Sequence, residues 1–140
     1  MRVFKNKEFS RYARRAEIPN ATLCHAVSQV NTGLIDADLG GGVIKQRIAR
    51  QGAGESGGFR TIILFKAGAL AVLVYGFAKN ERSNIHTDEL MAFKLLAATL
   101  LNYDAATIAK AVAAGALTGI FCDSTNDDAG KEADETSIPK

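Results

Sequence analysis

Hydrophobic positions along this chain follow two periods. Phe9, Tyr12, Ala13 and Ala16 recur at helical spacing, which predicts a helix over Lys5 to Arg15 with Arg11, Arg14 and Arg15 on its outer side. Pro19-Asn20 breaks it, and Asn20 suits the N-cap of a second helix carrying Leu23, Val27 and Val30 at i, i+4 and i+7. Gly33 suits its C-terminal cap. The pair reads as a helical hairpin, preceded by a short edge strand at residues 2–4. Beyond a turn-rich connector, Asp36 to Gly42, the period changes to two. Val43 to Arg50 reads as a strand with Lys45 and Arg47 on one face and Ile44, Gln46 and Ile48 on the other. Gln51 to Gly58 reads as a loop. Phe59 to Lys66 and Leu70 to Phe77, joined at Ala67-Gly68-Ala69, read as strands apolar on both faces, as in a sheet covered by helices. A polar loop, Lys79 to Ile85, precedes a helix capped by Thr87 and running to about Leu101, with Asp88 and Glu89 where the helix dipole favours negative charge. Asp104 caps another helix that ends at Gly115, and Leu117 to Phe121 suits a short strand. This order predicts an α+β fold: an antiparallel sheet packed with an N-terminal helical hairpin and C-terminal helices.

Charge divides the chain. Residues 1–122 hold 15 Lys/Arg and 9 Asp/Glu, a net of +6, whereas residues 123–140 hold 2 and 6, a net of −4. One domain over 1–122, followed by an acidic tail over 123–140 expected to be disordered, accounts for the split. A basic body suits a polyanionic partner. The longest apolar run, Ile62 to Ala78, is interrupted by Lys66 and Gly68 and reads as a hairpin rather than a membrane span. Cys24 and Cys122 do not form a metal-ligand spacing, and the first residues carry charge in place of a signal sequence. Reduced thiols in the cytoplasm are the simplest expectation.

The glycine-rich segment invites two nucleotide or hydrolase readings, and its flanks remove both. Gly52-Ala53-Gly54-Glu55-Ser56-Gly57 opens like a phosphate-binding P-loop, but Gly58-Phe59 follow where Lys and Ser/Thr belong, and a strand follows in place of a helix. Gly54-Glu55-Ser56-Gly57-Gly58 matches GxSxG, yet its serine lies between two strands rather than on a strand-to-helix elbow. No Cys or His stands near another at metal-ligand spacing. Asp36 and Asp38 alternate on an extended segment, where turn chemistry or a salt bridge to Lys45 or Arg47 explains them better than a cation site.

A basic constellation remains. Lys45 and Arg47 share a strand face, Arg60 begins the next strand, and Lys79, Arg82 and His86 follow the third. The hairpin from Phe59 to Phe77 brings Arg60 near Lys79. Metal-independent RNA cleavage needs such a set: cations where negative charge grows on the scissile phosphate, and a group that moves a proton. Histidine is the side chain that ordinarily titrates near neutrality. The competing reading is a solvated basic rim.

The run GLIDADLGGGVIKQRIARQGAGESGGFRTIILF, with VYGFAKNERSNI after it, resembles the RelE-like toxins of bacterial toxin–antitoxin modules. The likeness spans Phe4 to Gly115 and is nearest to a HigB-type subgroup. That subgroup carries GGG-V-x-K-x-R, then G-x-G-K-S-G-G-x-R, then Y-x-F-x-K-x-x-R-x-N-I. The resemblance implies a RelE/ParE-like α+β fold and ribosome-dependent cleavage of mRNA in the A site by attack of the 2′-OH, with no cofactor. It implies a cognate antitoxin as partner, a helix-turn-helix protein from the neighbouring gene, alongside the ribosome and mRNA. Carried over by motif, Arg60 is the transition-state stabiliser, Lys45 and Arg47 the phosphate clamp and proton carriers, and His86 the acid/base. Lys79, Arg82 and Arg50 bind RNA phosphate. Glu55 departs from the pattern by standing where the subgroup has Lys, which sets an anion beside the phosphate site. Two alternatives share the fold: a non-enzymatic ParE-like gyrase inhibitor, and a catalytically weakened relative that only binds its antitoxin.

Overall fold

The computed structural model describes residues 1–50 and 54–122, with backbone alone at Arg50 and at residues 54–57. Along the chain run β1 (Arg2–Asn6), α1 (Lys7–Arg15), α2 (Asn20–Asn31), β2 (Ala37–Asp38) and β3 (Val43–Arg50). Then follow β4 (Gly54–Lys66), β5 (Leu70–Ala78), α3 (Thr87–Leu100), α4 (Ala105–Ala113) and β6 (Leu117–Ile120). They build one sheet in the order β2-β3-β4-β5-β1-β6.

The expected α+β architecture is present, with helices on both faces of the sheet. Phe9, Ala13, Leu23, Ala26, Val27 and Val30 of α1 and α2 pack on Ile44, Ile48, Phe59, Ile63, Ala71 and Leu73. Ala97, Leu100 and Ile108 of α3 and α4 pack on Val43, Ile62, Leu64, Val72 and Val74 from the other side. That division follows from strand alternation, since Val43 and Ile44, or Ile62 and Ile63, must point to opposite faces. Each such aliphatic side chain contributes roughly 1.5–3 kcal/mol when fully buried. A register shift at Ile62/Ile63 pairs Ile62 with Tyr75 and Ile63 with Leu73, leaving Val74 as the extra residue of a bulge.

Several expectations need correction. The strand at residues 2–4 runs to Asn6 and is interior: it lies between β5, to which it is parallel, and β6. The sheet is therefore not wholly antiparallel, since β1 runs parallel to β5, and β1 is interior for a non-local reason, because β6 arrives from the far end of the described chain. Helix α1 starts at Lys7, capped by Asn6, whose side chain accepts the Phe9 amide at 2.8 Å. Pro19, not Asn20, is the N-cap of α2; the Asn20 side-chain oxygen instead accepts from Lys5 Nζ. His86, not Thr87, is the N-cap of α3. The loop expected over 51–58 is shorter, because β4 begins at Gly54 and pairs it with Arg50; residues 51–53 and the tail 123–140 lie outside the described residues. The cysteines are not thiols: Cys24 and Cys122 form a disulfide across 98 residues, tying the chain after β6 to α2.

Other expectations stand. Strand β3 spans Val43–Arg50 as read. Gly33, at φ +95°, ends α2 with two capping bonds, from its own amide to Val30 O and from the Leu34 amide to Gln29 O. Asp104 caps α4 by accepting the Thr107 amide at 2.8 Å. The Gly40-Gly41-Gly42 cluster is the turn into β3, all three in the left-handed region that side chains avoid.

Candidate functional site

The basic residues gather where the α3/α4 cover ends. Alternation puts Lys45 and Arg47 on the same face of β3 as the buried Val43. The ladders then set out two rows. Lys45 pairs with Ile62, which pairs with Tyr75; Arg47 pairs with Arg60, which pairs with Phe77. One step further, the Lys79 amide reaches Gly58 O at 3.3 Å, so Lys79 leaves β5 beside the strand that carries Arg60.

Arg60 is largely shielded from solvent, with its side chain 16% exposed. Its Nε stands 3.9 Å from Asp36 Oδ2. Its Nη1 is buried and meets no acceptor among the described residues. A buried guanidinium N–H without an acceptor is costly and suits an incoming anion. Asp36 thus faces Arg60, while Asp38 serves the turn by accepting the Gly40 amide at 3.0 Å. Arg47 and Lys79 are exposed, and Lys45 is half-buried, its Nζ 3.4 Å from Asn84 Oδ1. Arg50 closes β3 opposite Gly54.

Arg82 is placed differently. Its Nη2 donates to Glu89 Oε1 at 2.6 Å, and its Nη1 to Glu89 Oε2 at 3.2 Å and to the Tyr75 hydroxyl at 3.0 Å. Its Nε donates to Asn84 O at 2.8 Å. The guanidinium carbon lies 5.5 Å from the Phe77 ring centre and 5.9 Å from that of Tyr75. The Glu89 hydrogen bond raises the Arg82 pKa above its ordinary value. Arg82, followed by the His86 amide, lowers that of Glu89 to about 2. Little of this guanidinium remains to meet a phosphate. His86 is exposed at the start of α3, and its amide donates to Glu89 Oε1 at 2.6 Å.

The structure therefore brings Lys45, Arg47 and Arg60 together on one sheet face, with Lys79 beside them, and joins Arg82 and His86 through Glu89. Tyr75, Phe77, Asn84 and Glu89 belong to the same surroundings; the sequence pattern assigns none of them a role in the site, and places Glu89 only in the first turn of α3. The spacing His86-x-x-Glu89, which resembles a capping box, was the one local signal for Glu89. A concavity of about 710 Å³ lies elsewhere, between α2 and β3; it includes His25, Asp36, Gln46 and Arg47 and meets the basic row only at its margin. Among the described residues no group of three or more His, Cys, Asp or Glu side chains is placed to hold a metal ion, and no helix is long and apolar enough to cross a membrane.

The family described as RelE toxin of RelE / RelB toxin-antitoxin system matches residues 1–120. No curated protein matches the chain.

Proposed function

The chain belongs to the RelE toxin family, and from that premise we propose that it is an endoribonuclease that cuts mRNA in the ribosomal A site and inhibits translation. The observation that carries this reading is the Arg47–Arg60 rung with Lys45 on the same face. Three cations share that face, Arg47 exposed and Lys45 and Arg60 half-buried beside it. In the proposed reaction the RNA 2′-OH gives up its proton to a proton carrier and attacks the adjacent phosphorus; the O2′–P bond forms, the P–O5′ bond breaks to leave a 2′,3′-cyclic phosphate, and the 5′ oxygen leaves with a proton from a second carrier. Arg60, with its unaccepted Nη1, holds the phosphoryl oxygens as their charge grows. Lys45 and Arg47 clamp the phosphate and serve as proton carriers, Lys79 and Arg50 hold neighbouring phosphates, and His86 is the further acid/base. The partner is a cognate antitoxin, a helix-turn-helix protein encoded by the neighbouring gene, and the site of action is the cytoplasm.

A second reading, a relative that only binds its antitoxin, rests on Glu55, an anion where the subgroup carries Lys. Brief induction in bacteria followed by primer extension on cellular mRNA separates the two. New 5′ ends within translated codons, lost in Arg60→Ala, support the nuclease. Growth arrest without such ends overturns it. Cleavage appearing only in Glu55→Lys favours the weakened relative.

A further inference from the structure

We propose that Glu89, Tyr75 and Asn84 act with Arg82 as positioning residues, forming a clasp that fixes the segment 79–86 against the basic row. This inference rests on the nuclease reading above. Arg82 enters that reading as a phosphate-binding cation by motif, but its donors are directed inward: four hydrogen bonds join it to Glu89, Tyr75 and Asn84, and its face lies over Phe77 and Tyr75.

The clasp has a geometric consequence. Segment 79–86 leaves β5 at Ala78, whose amide donates to Glu81 Oε1 at 3.3 Å, and enters α3 at His86, whose amide is held by Glu89. Between these ends Asn84 does two things. Its backbone oxygen accepts from Arg82, and its side-chain oxygen accepts from Lys45 Nζ and from the Ile85 amide. One asparagine thus links the clasp to β3. Lys79 and His86 lie on the clasped segment, whereas Arg47 and Arg60 lie on the sheet. The Glu81 and Arg82 amides also donate to Ala78 O, and Ile85 packs on the core, which holds the segment to β5 and the α3 side. The clasp adds the link through Asn84 to β3, and without it the relative placement of the two sets would loosen. Misplacing catalytic groups by about 1 Å costs on the order of 100-fold in rate.

Arginine and lysine distinguish a clasp from a phosphate contact. A lysine keeps the charge but cannot bracket a carboxylate, a phenol and a carbonyl at once. Arg82→Lys and Arg82→Ala are therefore expected to lower the single-turnover rate of mRNA cleavage on programmed ribosomes by a similar ~10- to 100-fold, with half-saturating protein concentration within about 2-fold of wild type, whereas losing one phosphate contact would weaken binding. Glu89→Ala is expected to slow cleavage likewise, although removing an anion beside a basic site favours RNA binding by simple electrostatics. Glu89→Gln, which keeps an acceptor for the His86 amide, recovers part of the loss. Amide hydrogen exchange over 79–86 in the full chain needs no RNA and reads the clasp directly, with faster exchange expected in Arg82→Lys and in the milder Tyr75→Phe. Unchanged exchange in both overturns the clasp whether or not the protein cuts RNA. Wild-type rates in Arg82→Lys with weakened binding in Arg82→Ala also overturn it. Faster exchange in a protein that cuts no mRNA keeps the clasp and rejects the nuclease, and with it the clasp's catalytic role.

Discussion

Arg47 on β3 stands directly across the antiparallel ladder from Arg60 on β4, so two guanidinium groups share one rung of the sheet. Like charges placed directly opposite each other destabilise a sheet, and Asp36 offsets this from 3.9 Å. An anion bound between them relieves the repulsion. Inorganic phosphate is therefore expected to raise the melting temperature by a few degrees, and Arg60→Gln to remove most of that rise. Equal phosphate stabilisation of both proteins, followed by differential scanning fluorimetry at constant ionic strength, would sink the idea of an anion site on this rung.

Removing the charge of Arg60 is expected to cost more in catalysis than in folding. Loss of one preformed donor to a developing oxyanion typically costs 10²–10³ in rate, about 2.7–4 kcal/mol. Arg60→Gln should show a deficit of that order in mRNA cleavage while its urea midpoint stays near that of wild type. Wild-type cleavage rates in a folded Arg60→Gln protein would remove Arg60 from the chemistry.

Reduction should loosen the C-terminal edge of the sheet. Disulfide Cys24–Cys122 closes a loop of about a hundred residues; chain entropy alone assigns such a loop about 4–5 kcal/mol. The melting temperature is expected to fall by on the order of 10 °C in reductant, and Cys24→Ser to give the lower value in either condition. Thiol alkylation of protein taken rapidly from cells reads which state is present there. Identical melting with and without reductant, with the bond verified by mass, would show that β6 needs no tether.

Gly76 has no room for a side chain. A Cβ there would lie 2.5 Å from Tyr12 Cε2 and 3.1 Å from Phe9 Cε1. Gly76→Ala must displace the Tyr12 ring, and with it the packing of α1 on the sheet, with an expected loss of about 1–3 kcal/mol. Chemical denaturation measures it, and a loss under about 0.5 kcal/mol would mean that α1 yields easily.

Acid should weaken the clasp. The carboxyl of Glu89 is lowered from 4.5 to about 2 by Arg82 and the His86 amide. A carboxylate with a depressed folded pKa contributes stability that is full above its unfolded value and is lost as pH falls through the folded one. The loss should therefore develop between about pH 4.5 and pH 2, and Glu89→Gln should flatten stability across that window. Asp104, lowered by its bonds to Thr107, adds a contribution of the same sign. Parallel pH profiles for wild type and Glu89→Gln, measured by urea titration, would show that the pair adds nothing.

Local pattern was enough for the elements whose determinants are local. The two-residue alternation of β3 placed Lys45 and Arg47 on one face, and the Leu23/Val27/Val30 stripe placed the buried side of α2. Gly33 and Asp104 marked helix ends because the left-handed turn and the capping carboxylate are properties of those residues themselves. The strands apolar on both faces already called for helices on both sides of the sheet.

What the sequence by itself determined is thus the order of elements, their faces and the basic character of β3 and its neighbours. Tertiary structure alone decided which residues meet across long separations. It made β1 an interior strand, because β6 pairs with it from more than a hundred residues away. It joined Cys24 to Cys122. It also separated two arginines that look alike in sequence. Arg60 keeps a buried donor without a described acceptor, while Arg82 directs its donors to Glu89, Tyr75 and Asn84. Periodicity reports the direction of a side chain from its own backbone, but the partner that waits there is set by how distant strands and helices pack.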